Sequence, residues 1–93
     1  MKIIWTTRAK RSLSLIADYI AENNPSAAYH TIRKIRQSTN RLKDFPFIGR
    51  SGRVEGTREL VVLSNYILPY RIKEDRIEIL HVFHAQRKWP DDF

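Results

Sequence analysis

The stretch Ile77–Pro90, IEILHVFHAQRKWP, decides how the rest of the chain is read. Its first half alternates, yet both sets are apolar. Ile77, Ile79 and Phe83 point one way, and Leu80 and Val82 the other. A strand apolar on both sides belongs in the middle of a sheet, covered on each face. It then runs into a polar, basic and aromatic end: His84, Gln86, Arg87, Lys88, Trp89 and Pro90. This reads as a central strand, and groups mounted where a rigid strand emerges are the first candidates for function.

Working back from it, Tyr66–Lys73 (YILPYRIK) sets Tyr66, Leu68, Tyr70 and Ile72 on one face. Pro69 has no N–H for a ladder, so an irregular or unpaired spot is expected there. Glu74-Asp75 joins this strand tightly to the last one. Thr57–Leu63 (TRELVVL) is rich in strand formers, with a turn near Ser64-Asn65. Asp44–Gly56 (DFPFIGRSGRVEG) is a loop, and Phe45, Phe47 and Ile48 are expected to pin one end of it to the core.

The first half is helical. From Arg8 to Glu22, Leu13, Ile16, Ala17 and Ile20 recur at helical spacing, with Thr6 or Thr7 as cap. Asn24 caps and Pro25 opens a second helix reaching about Lys43, with Ala28, Ile32, Ile35, Thr39 and Leu42 as its buried stripe. So short a connection makes the helices antiparallel neighbours. Lys2–Trp5 (KIIW) is a first strand. The order β-α-α-β-β-β gives an α+β domain over residues 1–93, a helical hairpin on one face of a mainly antiparallel four-stranded sheet. The other face then needs cover, from the long loop or from a partner chain.

Composition narrows the function. A chain of 93 residues is one domain. It holds no cysteine, which removes disulfides and thiolate metal sites. No apolar run approaches the roughly 20 residues that span a bilayer, so a soluble, cytoplasmic protein is expected. The net charge is +7, and residues 1–43 alone carry nine Lys/Arg against two acidic residues, whereas residues 74–93 carry three against five. That excess suggests an anionic partner, nucleic acid or acidic protein. Arg8, Lys10 and Arg11 stand at the wrong end of the first helix for its dipole, which marks them as functional suspects.

No nucleophile motif or phosphate-cradling glycine loop is present, and no metal or other cofactor is implied. His81 and His84, three apart on a strand, face opposite sides. General acid–base cleavage of RNA needs a base, an acid and cations for phosphate. Glu59, Arg58, Arg71, His84 and Arg87 lie on the sheet half and supply such groups, though Glu59 and Arg71 read equally as an exposed cross-strand pair.

At GTRELVV (56–62), NYILPYRI (65–72) and IEILHVFHAQRKWP (77–90), the chain resembles the RelE/ParE superfamily of toxins from bacterial type II toxin–antitoxin modules. The resemblance covers nearly the whole chain and implies the fold read above. It also implies a cognate antitoxin that wraps the toxin, buries apolar surface on the sheet side and forms a hetero-oligomer with it. Two activities follow from it: RelE-like members cut mRNA on the ribosome without a metal, and ParE-like members bind and block DNA gyrase. In the nuclease branch Arg58, Arg71, His84 and Arg87 would be catalytic, but apolar Leu60 and Ile67 fill places that are basic there. The basic excess also lies on the helices rather than the sheet, whereas phosphate contacts would favour a basic sheet face. The ParE-like branch is therefore the expectation, with His84, Arg87 and Trp89 facing the target and Arg8, Lys10 and Arg11 as a second contact.

Overall fold

A computed structural model describes residues 1–85; Arg87 and Trp89 lie outside the described residues. Its elements run β1 (Lys2–Trp5), α1 (Thr7–Ala21), α2 (Pro25–Asn40), one 3-10 turn (Arg41–Lys43), β2 (Arg50–Ser51), β3 (Arg58–Val62), β4 (Tyr66–Lys73), β5 (Arg76–Ile79) and β6 (Phe83–His84). The local signals act as anticipated. The Thr6 hydroxyl accepts the Ala9 N–H at 3.1 Å, and Asn24 Oδ1 accepts the Ala27 N–H at 3.0 Å. Each cap satisfies an N–H that a helix start leaves open. Thr6 also donates to the Ile79 carbonyl at 2.9 Å, tying the start of α1 to the end of β5.

The sheet order is β1-β5-β4-β3-β2, with β6 paired to β4. β1 and β5 run parallel; the other pairs are antiparallel. On the near face, Leu60, Val62, Leu68, Tyr70, Ile77 and Ile79 join Ala9, Leu13, Ile35 and Leu42 of the helical layer in one core. Thr39 is buried within the helical layer because its hydroxyl donates back to the Arg36 carbonyl at 2.8 Å.

Three expectations are corrected. β4 is the middle strand, and β5 lies between it and the edge strand β1. The last strand is not continuous: between the pairs Tyr70↔Ile79 and Ile67↔Phe83, β4 has two residues and its neighbour three, Leu80, His81 and Val82. The extra residue is a bulge facing Pro69, whose carbonyl accepts the Leu80 N–H at 2.8 Å. It shifts the alternation, so that Val82 joins the near core and Phe83 crosses to the far face. The sheet therefore has six strands rather than four, because the last strand splits and the loop contributes β2. The third correction concerns Phe45, Phe47 and Ile48, which do not anchor the loop; all three are exposed.

Candidate functional site

The loop between α2 and β3 is held by polar groups from the sheet. Tyr70, fully buried in β4, accepts the Gly49 N–H at 2.9 Å and donates to the Pro46 carbonyl at 2.8 Å. Burial raises its phenol above the ordinary value, against smaller opposing pulls from the Gly49 N–H and Arg58. Gly49 is required at that contact, because a Cβ there would stand 2.6 Å from the Tyr70 ring and hydroxyl. Beside Tyr70 on the near face, Arg58 donates to the carbonyls of Gly49 (2.8 Å) and Phe47 (3.2 Å), with its guanidinium 5.1 Å from the Phe47 ring centre.

The loop then passes around the edge of β3. Arg50 and Ser51 pair with Glu59 and Arg58 as β2. On the far face Glu59, 1% exposed, receives Arg50 Nε and Nη2 at 3.2 and 3.1 Å and the Arg53 N–H at 3.0 Å. Val54 packs with Ile67 and Phe83, and the Arg53 guanidinium lies 5.8 Å from the Phe83 ring centre. The long loop thus covers the middle of the far face.

These bonds decide where the sequence-derived candidates stand. Arg58 is on the near face, engaged by loop carbonyls. Arg71 is on the far face, paired with Glu78, which also accepts Arg76 Nε at 3.0 Å. The Arg71 bond first, then the Arg76 bond, hold the Glu78 carboxyl below its ordinary range. Glu59 and Arg71 are not a pair: Glu59 is buried against Arg50, and Arg71 takes Glu78. His84 stands opposite Tyr66, ring centres 5.7 Å apart. Tyr66 and Arg71 are five steps apart on β4, about 17 Å at strand rise, with side chains on opposite faces. Among the described residues, Arg58, Arg71 and His84 are therefore not gathered at one centre. His81 Nδ1 and the Ser12 hydroxyl share a hydrogen bond of 2.9 Å. No three His, Asp or Glu groups among the described residues converge as metal ligands. No helix is long and apolar enough to cross a membrane.

What the surface offers is apolar and basic. Arg8, Lys10 and Arg11 are exposed along the start of α1. Leu15, Tyr19 and Tyr29 are exposed on the hairpin, and Tyr29 also lines a groove of about 570 Å³ together with Ala17, Ala21, Ala28 and Ile32. Phe45, Phe47 and Ile48 project from the clamped loop. Sequence reasoning missed the Tyr70 and Glu59 clamps, which rest on partners 21 and 9 residues away.

Residues 3–89 match the model of the ParE toxin of the type II toxin–antitoxin system parDE. The chain belongs to the ParE toxin family. The Y4kP protein of Sinorhizobium fredii is 44% identical over 90 residues, 96% of this chain and 93% of the relative. Toxin RelE2 of Caulobacter vibrioides is 31% identical over 86 residues, 92% of this chain and 97% of the relative. Among solved structures, the chromosomal ParDE system from P. aeruginosa superposes with a TM-score of 0.83 at 27% identity, covering 92% and 97% of the two chains. The YoeB/ParE toxin from Agrobacterium tumefaciens shares the fold, with a TM-score of 0.64 at 17% identity over 91% and 99%. The ParE family member described here is thus a toxin of a type II toxin–antitoxin system, with the α+β fold of RelE/ParE toxins.

Proposed function

We propose that this ParE family toxin inhibits DNA gyrase by protein–protein contact in the cytoplasm and is neutralised by a cognate antitoxin. The observation that carries the reading is the dispersal of Arg58, Arg71 and His84. Arg58 serves the loop, Arg71 serves Glu78, and His84 lies against Tyr66 on the other face from Arg71. An acid–base cleavage centre needs such groups within hydrogen-bond reach of one substrate. A binding inhibitor needs instead exposed apolar and basic surface, as at Leu15, Tyr19, Tyr29 and the Phe45–Ile48 loop.

His84 is assigned to the target-facing end, together with Arg87 and Trp89 beyond it; Trp and Arg are the types that most often dominate interface energies. Arg8, Lys10 and Arg11 form a second contact. The antitoxin covers apolar surface in a toxin–antitoxin hetero-oligomer. The test is gyrase supercoiling of relaxed plasmid with purified toxin. Inhibition relieved by antitoxin supports the reading. Unaffected supercoiling by a growth-arresting toxin overturns it, and cleavage of mRNA on translating ribosomes would then assign the nuclease activity.

A further inference from the structure

The outer face of α1 is ordered by charge. Arg8, Arg11, Leu15, Asp18, Tyr19 and Glu22 recur at helical steps and form one stripe, all of it exposed. It lies opposite Ala9, Leu13 and Ile16, which meet the core. The stripe begins basic, is apolar at its middle and ends acidic. Asp18 and Glu22 are the only acidic residues within positions 1–43. This order works against the isolated helix. The dipole favours anions at the N-terminal end and cations at the C-terminal end, and here the two are reversed. Arg8 and Arg11, and again Asp18 and Glu22, are like charges one turn apart, which is also unfavourable. Among the described residues, Arg11, Asp18 and Glu22 have no ion-pair partner in their own chain.

Turned end for end, the stripe complements itself. Arg11 lies four positions before Leu15, and Asp18 and Tyr19 lie three and four after it. Arg8 and Glu22 lie seven before and seven after. A twofold axis through Leu15 and normal to α1 therefore sets Arg11 opposite Asp18 and Tyr19 of a second copy. The same axis sets Arg8 opposite Glu22 and Leu15 against Leu15. The contact runs the length of a 15-residue helix, about 22 Å at helical rise.

We infer that α1 is a self-association face, on which two copies of the toxin pair antiparallel about Leu15. The order of charge selects the occupant. A partner of one sign meets half of the stripe with repulsion, whereas a second copy meets each end with its opposite. Each copy carries +7 overall, which opposes association at long range, and the opposed ends of α1 offset that at contact. Leu15 and Tyr19, both exposed in the single chain, supply the apolar middle. The inference concerns the free toxin and does not rest on the choice of target. The dimer covers Arg8 and Arg11, so a target that uses those cations meets the separated toxin.

Sedimentation velocity of the full-length toxin over a concentration series is the test. Wild type should pass from monomer to dimer as concentration rises. Arg11→Glu and Asp18→Lys, both at exposed positions, should each raise the dissociation constant about tenfold or more, because like charges then face each other twice across the axis. Circular dichroism should stay unchanged in both. Mixed in equal amounts, the two variants should recover the wild-type dimer, because each new charge then meets its opposite on the other copy. Wild type that keeps a monomer's mass throughout the series overturns the inference. So does a mixture no more associated than either variant alone. A toxin that stays monomeric while Asp18→Lys weakens antitoxin binding gives the stripe to the antitoxin, and overturns it as well.

Discussion

The buried Tyr70 hydroxyl sits 2.9 Å from the Gly49 nitrogen, 21 residues away in sequence, and that bond sets the path of the loop. Tyr70 also donates to Pro46, so one phenol closes both sides of the turn that presents Phe47 and Ile48. Tyr70→Phe keeps the ring and leaves the Gly49 N–H without its partner. It should destabilise the fold by about 1–2 kcal/mol in urea denaturation and speed amide exchange at Gly49. Gly49→Ala should be at least as damaging, because its Cβ would collide with the Tyr70 ring and hydroxyl.

Alkaline titration tests the same bond. The folded Tyr70 phenol titrates above its ordinary value of 10.0. Its contribution to stability is therefore complete below that value and is lost as pH rises through the higher folded pKa. The stability difference between wild type and Tyr70→Phe should shrink above about pH 10.

Glu59 clamps the far side of the loop. Its carboxylate is almost wholly buried, with Arg50 and the Arg53 N–H bonded to it. Glu59→Gln preserves shape and removes the charge, and should cost about 1.5–3 kcal/mol by thermal or urea denaturation. Arg71→Gln, which breaks the surface pair with Glu78, should cost far less than Glu59→Gln in the same denaturation.

Acid should act on the Glu78 cluster. Its folded pKa lies below the usual glutamate range, so the stabilisation is present above the unfolded value near 4.5 and is lost as pH falls through the folded one. A carbon-detected NMR titration should show the Glu78 carboxyl titrating below ordinary glutamates, with Arg71→Gln moving it back up.

Glu74 holds a left-handed backbone, φ 58°, in the turn between β4 and β5. A residue other than glycine pays for that conformation, and asparagine pays less. Glu74→Asn should raise stability by about 0.5–1 kcal/mol, read as a higher denaturation midpoint.

Much of this was legible in the chain. Thr6, Asn24 and Pro25 mark helix starts by local chemistry, and the stripe Ala28, Ile35, Thr39 and Leu42 is buried as its spacing requires. Pro69 announced the break opposite Leu80–Val82, but not that an extra residue there would exchange the faces of Val82 and Phe83. The Phe45–Ile48 run read as core because it is apolar. It is exposed because Tyr70 and Arg58 hold its backbone by polar bonds, and those partners are distant in sequence. The candidate cations Arg58 and Arg71 were visible as residue types. Their faces and partners depend on register, which is set by pairing across strands rather than by local pattern.

The central claim is the target. With purified gyrase and relaxed plasmid, this toxin should block supercoiling or trap cleaved DNA, and added antitoxin should reverse the effect. Full supercoiling in the presence of a toxin that still arrests growth would contradict the account.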